Sequence, residues 1–327
     1  MQEIATARSR DATARTLILA TVKENVSLTA IDPETGDIVA AVEVGVRGSA
    51  KPHELALTAD NSRAFVSLYG SSDYGRNVPA NKIAIVDLRR MVCEGHIDLG
   101  LYKGPHAMAT DKDGKIWVSV DPNHCALVID PATRAIERSV WLQTPGHFLA
   151  QSPDRRTIYF SAKEYPVITE VDVASKSVVA QITVPVGAQG IRVSPDGALL
   201  YVGDFHRPLL HVVGCRARKL LRTVPLTGVP GWPFISRDGR YVIVTTYDEP
   251  ADHGYVEILD AADLTRRRVV DVPAEPFHAL SARDDRHIYV ALANGQIPKI
   301  DLNTARITNG GFNAGGTMPE ALIYCDL

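Results

Sequence analysis

An all-β fold, built from one four-stranded unit repeated along the chain, is predicted by three features of the 327-residue sequence. A short apolar run, a tight turn and a second apolar run recur almost throughout, as expected for two strands joined by a hairpin. Two more short runs, separated by a further turn, follow each pair. The repeats begin 41 to 53 residues apart, close to the spacing of propeller blades. Together these features predict a β-propeller.

The hairpins of the repeat are marked by turn sequences such as SPDG at 194–197 and SRDG at 236–239. The apolar runs that follow are rich in aromatic and β-branched residues and alternate with a period of two, which excludes helical solenoids. Six first strands begin near Pro52, Pro105, Gly146, Ala188, Gly231 and Phe277.

The two ends of the chain together complete a seventh unit. Residues 16–45 supply strands two to four but lack a first strand, whereas the sequence from Met318 has the first-strand pattern with nothing after it. Joining them closes the ring and protects the edges of the sheets. We therefore predict an all-β, seven-bladed β-propeller as a single domain over residues 16–327, with residues 1–15 as an N-terminal tail.

The composition limits the kinds of binding partner and the cellular compartment that can be expected. Hydrophobic residues make up 45%, charged residues 22%, and the formal net charge is −3, so nothing favours nucleic acid or an anionic membrane as a partner. No apolar stretch is long enough for a signal peptide or a membrane span, which predicts a cytoplasmic protein. No Gly-rich phosphate loop precedes a helix, so no nucleotide cofactor is expected.

The second strands carry a family resemblance. Residues 201–204 (YVGD) and 289–292 (YVAL) stand directly after the hairpin turns, and Phe65, Trp117 and Tyr159 occupy the same column. This pattern resembles the YVTN-type β-propeller repeat, over nearly the whole chain from about residue 16. No blade ends in the Trp-Asp pair of the WD repeat. The resemblance implies the fold and says little about function, because propellers host many unrelated sites.

When the repeats are aligned, the residues at the second position of each first strand indicate a candidate functional site. They are His53, His106, His147, Gln189, Trp232, His278 and Glu320. Four of the ten histidines therefore fall in one column of seven positions. Because first strands line the central channel of a propeller, this column predicts a ring of side chains at one channel mouth.

Two interpretations of that ring stay open. In one, the histidines simply hydrogen-bond strand starts to neighbouring loops. In the other, His53, His106, His147 and His278 bind a divalent metal (Zn, Fe, Cu or Ni) or act as acid/base catalysts. Glu320 then serves as a ligand, an orienting group or a general base.

The loops between second and third strands should open at the same mouth. Residues 69–81 form the longest of them and are a candidate lid. With Gln189 and Trp232 of the ring, the predicted substrate-binding residues are Tyr69, Tyr165, His206, Arg207, Tyr247 and Asp248. Together they suit a polar or anionic organic substrate.

We therefore predict an enzyme that acts on a small or medium-sized organic molecule with a metal or a histidine acid/base centre. The architecture is similar to that of propeller lyases that open cyclic peptide lactones and of lactone-hydrolysing propellers. The inner-strand histidines resemble the iron site of carotenoid-cleaving propellers. Elimination, cyclisation or isomerisation, hydrolysis and oxygenation all remain open. The alternative is a non-catalytic propeller that binds a ligand or a protein partner.

Overall fold

The computed structural model describes residues 15–71, 78–265 and 267–327. They form seven four-stranded antiparallel sheets arranged as the blades of a ring, so the predicted seven-bladed β-propeller is confirmed. Residues 1–14 of the predicted tail and residues 72–77 of the predicted lid lie outside the described residues. Within the described ranges, no helix is long and apolar enough to cross a membrane.

Every blade has its strands in chain order except the one that closes the ring. The closing blade contains β1 (Thr16–Val22), β2 (Ser27–Ile31) and β3 (Ile38–Glu43). The second blade contains β4 (Lys51–Leu57), β5 (Arg63–Gly70), β6 (Pro79–Asp87) and β7 (Val92–Asp98). The third contains β8 (Pro105–Thr110), β9 (Ile116–Val120), β10 (Cys125–Ile129) and β11 (Ile136–Trp141).

The remaining blades follow the same order from the channel outward. The fourth contains β12 (Leu149–Gln151), β13 (Thr157–Ser161), β14 (Val167–Asp172) and β15 (Ser177–Thr183). The fifth contains β16 (Ala188–Val193), β17 (Leu199–Asp204), β18 (Leu209–Gly214) and β19 (Lys219–Pro225). The sixth contains β20 (Val229–Ile235), β21 (Tyr241–Asp248), β22 (His253–Asp260) and β23 (Arg267–Val272). The seventh contains β24 (Pro276–Ser281), β25 (His287–Leu292), β26 (Gln296–Asp301) and β27 (Arg306–Asn313), and the last strand is β28 (Pro319–Asp326).

Ring closure is made by the two ends of the chain, as predicted. Strand β28 pairs with β1, so the closing sheet has the order β28-β1-β2-β3. Beyond the strand ends, the backbones of Arg15 and Leu327 exchange two hydrogen bonds of 2.9 Å. Arg283 of the seventh blade binds both carboxylate oxygens of Asp326 at 2.7 and 2.8 Å. The last strand is thus tied to both of its neighbours.

The turn sequences work through their aspartates. In the 194–197 turn, Asp196 accepts hydrogen bonds from the Ser194 hydroxyl at 2.5 Å and the Ala198 N–H at 2.9 Å. Gly197 has a φ of +73°, a conformation that glycine adopts without steric cost. The aromatic residues that follow these turns pack between blades, and Phe65, Trp117, Tyr159, Tyr201 and Tyr289 are all at least 95% buried.

A β-bulge near the start of most inner strands positions the channel residues. Against the second strand, the register jumps between Pro52 and Leu55, and equivalent jumps occur in β8, β16, β20 and β24. A bulge turns two successive residues toward one side of a sheet. The inner strands therefore present two adjacent side chains to the channel instead of one.

Buried hydroxyls of the second strands hold these bulges from the neighbouring blade. The hydroxyl of Thr21 donates to the His53 carbonyl at 2.7 Å, and that of Ser67 donates to the His106 carbonyl at 2.8 Å. Ser119 and Ser161 bond the carbonyls of His147 and Gln189 in the same way, at 2.8 and 2.6 Å. All four hydroxyl-bearing residues are fully buried. Each bond therefore joins two blades at the residue that faces the channel mouth.

The register corrects the predicted column in two blades. Pro230 and Pro276 occupy the position of Pro52, so the residues equivalent to His53 are Gly231 and Phe277. Trp232 and His278 stand one position further along the chain. The sequence alignment placed them one residue too early because it began these two strands at Gly231 and Phe277 instead of at Pro230 and Pro276.

We predict that Thr21→Val destabilises the fold by about 1–3 kcal/mol, because the buried His53 carbonyl and the Ala321 N–H both lose their partner. Urea unfolding measures the change. Thr304→Val, at an exposed position, is the control and should stay within about 0.5 kcal/mol of the wild type. Equal effects of the two changes would contradict a structural role for the hydroxyl.

Candidate functional site

Three successive rings of side chains line the channel. The upper ring consists of His53, His106, His147, Gln189, Gly231, Phe277 and Glu320. The middle ring, one residue further along each strand, consists of Glu54, Ala107, Phe148, Gly190, Trp232, His278 and Ala321. The lower ring, two residues beyond that, consists of Ala56, Ala109, Ala150, Arg192, Phe234, Leu280 and Ile323. The upper ring opens into a cavity of about 900 Å³, here called the histidine cavity.

Three imidazoles from consecutive blades stack at the floor of the histidine cavity. The ring centres of His53 and His106 lie 4.0 Å apart, and those of His106 and His147 also lie 4.0 Å apart. None of the three residues is more than 8% exposed. Phe148 packs edge-on against His106 and His147 at 4.5 and 4.6 Å. The stack is a direct result of adjacent blades placing the same residue type at the same bulge.

These histidines are neutral near neutral pH. Burial lowers the pKa of His53, His106 and His147 well below 6.5, and the positive charges of Lys23 and Lys163 lower it further. A neutral imidazole offers one donor and one acceptor nitrogen, so the stack presents both kinds of group to a ligand.

His147 is held by a carboxyl group from the neighbouring blade. Its Nδ1 lies 2.8 Å from Oδ2 of Asp121, and the Tyr69 hydroxyl donates a hydrogen bond to the same carboxyl. Burial raises the pKa of Asp121 to about 8, so near neutral pH its carboxyl holds a proton. The proton lies within reach of His147, and the two groups form a pair suited to proton transfer.

Two lysines complete the polar lining. Lys23 forms an ion pair with Glu320, whose other oxygen lies 3.6 Å from His53 Nε2. Lys163 is 97% buried, with its ammonium nitrogen 4.8 Å from the centre of the Phe205 ring. Burial lowers the pKa of Lys163 well below its usual value. A negative charge beside a buried lysine favours its protonated form, so an anionic ligand bound next to Lys163 would be stabilised by it.

Apart from Glu320 Oε2, which pairs with Lys23, four buried polar atoms on residues that line the cavity have no hydrogen-bond partner in the part of the chain that the structure describes. They are His53 Nδ1, His106 Nδ1, Gln189 Oε1 and Trp232 Nε1. All four residues line the histidine cavity. Buried polar groups in folded proteins are nearly always satisfied by protein, water or a ligand. These atoms therefore mark where a bound molecule would find its partners.

The structure brings three of the four predicted metal ligands together, namely His53, His106 and His147. His278 belongs to the middle ring and lines the other half of the channel, because Phe277 occupies the position equivalent to His53. Over residues 15–71, 78–265 and 267–327, no group of three or more His, Cys, Asp or Glu side chains is arranged to hold a metal ion. Lys23 already neutralises Glu320. The metal stays a prediction, which elemental analysis of tag-free protein tests.

Most of the other predicted residues meet at the histidine cavity. It is lined by His53, His106, His147, Gln189, Trp232, Glu320, Tyr69, His206, Tyr247 and Asp248. Tyr165 and Arg207 are not among the lining residues. Tyr165 is 40% exposed, and the guanidinium of Arg207 is bound by the buried Asp204 at 2.9 and 2.6 Å.

Sequence reasoning missed Lys23 and gave Lys163 and Asp121 no part in the ring. All three stand two residues after a second-strand hydroxyl residue, so they occupy one column with Tyr69 and Tyr247. The repeat contains this signal. Lys23 was overlooked because the closing blade has its first strand at the other end of the chain.

Comparison with solved structures supports the propeller class. The chain is similar to a functionally unknown protein from Desulfotomaculum acetoxidans DSM 771, with a TM-score of 0.73 and 13% identity over 94% of this chain and 98% of that one. It is also similar to hydrazine synthase from Kuenenia stuttgartiensis, with a TM-score of 0.64 and 17% identity over 78% of each chain. At these identities the likeness shows the fold alone. No protein-family profile and no curated protein matches the sequence.

We predict that His106→Gln flattens the loss of stability on acidification. The pKa of His106 is lowered in the folded state, so below pH 6.5 only the unfolded chain takes up that proton and the free energy of unfolding falls. Between pH 7 and pH 5 the wild type should lose about 1–2 kcal/mol more than the variant. Urea unfolding at both values measures the difference.

Thr304→Val, at an exposed position and with no titratable group changed, provides the control for this prediction. It should show the same pH dependence as the wild type. If His106→Gln also did, the buried imidazole would not be neutral in the folded protein.

Proposed function

We propose that the protein is an enzyme that binds a small polar organic molecule in the histidine cavity and transfers protons to and from it with His147 and Asp121. The observation that carries the proposal is the set of four unpartnered buried polar atoms on the walls of one cavity. Left without water or a bound molecule, each of those atoms would cost about 1–3 kcal/mol, so the cavity is built to hold polar partners.

The walls of the cavity favour a substrate with a flat or apolar body and at least one oxygen. Trp232 stands edge-on to Phe148 at 5.0 Å and to Phe277 at 6.1 Å, which offers aromatic surface to a bound molecule. The Trp232 N–H is a donor, and Lys23 and Lys163 add positive charge. A carboxylate or carbonyl oxygen is the group that these neighbours would bind.

The geometry of His147 and Asp121 suits both halves of a proton transfer. When Asp121 donates its proton to Nδ1, Nε2 of His147 carries hydrogen and can act as a general acid. As Nε2 gives up that proton, the Asp121 proton moves to Nδ1, and Nε2 becomes an acceptor. Elimination, isomerisation and hydrolysis each need one acid and one base step, so the pair is compatible with all three.

One of the similar structures is named as an enzyme, hydrazine synthase. Its identity to this chain is too low to transfer an activity, but it agrees with an enzymatic propeller. The competing proposal is a binding scaffold. It requires the same cavity but no dependence of turnover on His147.

To test for proton transfer, the protein is incubated in D₂O with a panel of small 2-oxo acids and lactones. NMR follows deuterium incorporation and product formation. We expect His147→Gln to slow turnover of the responding compound at least about 100-fold, with affinity changed less than about threefold. Trp232→Phe replaces the indole by a phenyl ring, which keeps aromatic surface but removes the N–H donor. It should weaken binding of the responding compound about 5- to 30-fold.

Thr304→Val, at an exposed position that lines neither the histidine cavity nor the other half of the channel, should retain wild-type rates. Binding without turnover, unchanged in His147→Gln, would replace the proposal with the scaffold. Stoichiometric metal in tag-free protein, with activity abolished by a chelator, would replace proton transfer by the histidine pair with metal chemistry.

A further inference from the structure

The other half of the channel contains a second cavity that the proposed function does not use. This cavity, here called the lower funnel, has a volume of about 1200 Å³ and is lined by the middle and lower rings. Phe148 and Trp232 line both cavities, so their edge-on pair separates them. The lower funnel is therefore a compartment with walls of its own.

Arg192 is the exception in an otherwise apolar ring. The other members of the lower ring are alanines and large apolar residues, and the guanidinium of Arg192 lies 5.2 Å from the centre of the Phe234 ring. Its Nε is buried and has no hydrogen-bond partner among the described residues. No carboxylate in the described ranges forms an ion pair with it, whereas Arg63, Arg218 and Arg267 each bind a glutamate.

Arg192 cannot become neutral by losing its proton, because the arginine side chain stays protonated in proteins. The two titratable groups nearest in the funnel do not neutralise it. Burial raises the pKa of Glu54 to about 8, so near neutral pH its carboxyl is mostly uncharged. Burial also lowers the pKa of His278 to about 3, so that imidazole is neutral. Arg192 thus has no ion-pair partner among the described residues and stands in a ring whose other members are apolar.

We propose that the lower funnel is a second binding site, for a small monocarboxylate with an apolar body, in which Arg192 binds the carboxylate. The guanidinium edge that includes Nε matches the two oxygens of a carboxylate. Ala56, Ala109 and Ala150 leave room beside it for the apolar part. The buried Nε2 of Gln151, which also lacks a partner in the described chain and lines the funnel, is a second donor.

The test uses benzoate as the probe and benzamide as its uncharged analogue, with binding measured by NMR titration. Wild-type protein should bind benzoate at least about tenfold more tightly than benzamide. Arg192→Met should lose at least about tenfold in benzoate affinity. Arg192→Lys should lose some affinity, because lysine cannot donate two parallel hydrogen bonds to a carboxylate, but less than Arg192→Met, because it keeps the positive charge. Using both variants keeps the test decisive if one of them folds poorly.

Two further variants separate this site from the histidine cavity. Arg237→Met removes an exposed arginine at the rim of the same funnel and should bind benzoate like the wild type. His147→Gln, at a residue that lines the histidine cavity and not the lower funnel, should do so as well. Equal affinities for benzoate and benzamide, or unchanged binding in both Arg192 variants, would overturn the proposal. Loss in His147→Gln alone would assign benzoate to the histidine cavity instead.

Discussion

The hydrogen bond between a buried second-strand hydroxyl and the bulged carbonyl of the next blade is the interaction on which this propeller's channel depends. It recurs through Thr21, Ser67, Ser119 and Ser161. A bulge leaves backbone groups outside the sheet ladder, and the hydroxyl supplies the missing partner from a neighbouring sheet. The same bond therefore satisfies the backbone, joins the blades and fixes the direction of the residue at the channel mouth. Three stacked histidines follow from it.

The site combines groups that would be unstable alone in a buried environment. Three imidazoles avoid charge by staying neutral, and Asp121 avoids it by holding a proton. Lys23 and Glu320 instead keep their charges by pairing. The cost of burying these groups is thus reduced in two ways, by neutral protonation states and by ion pairing. A ligand charge placed among these groups would act on several protonation equilibria at once.

The repeat was enough to predict the number of blades, the strand order and the closure by the chain ends, because apolar alternation and aspartate turns are local properties. The residues facing the mouth were harder to predict. His53, His106 and His147 were found because each stands second in its first-strand segment, whereas His278 was misplaced because its segment was aligned on Phe277 instead of Pro276. Arg192 was invisible for another reason. In the sequence it is one arginine among many, and only the ring of apolar neighbours makes it unusual.

Phe148 and Trp232 line both cavities, and their rings stand edge-on 5.0 Å apart between them. A molecule that moves either ring changes the shape of both compartments at once. Ligands on the two sides are then thermodynamically linked, and each alters the affinity for the other by the same factor. Binding at one face of the disc would in that case change binding at the opposite face through the positions of the Phe148 and Trp232 rings.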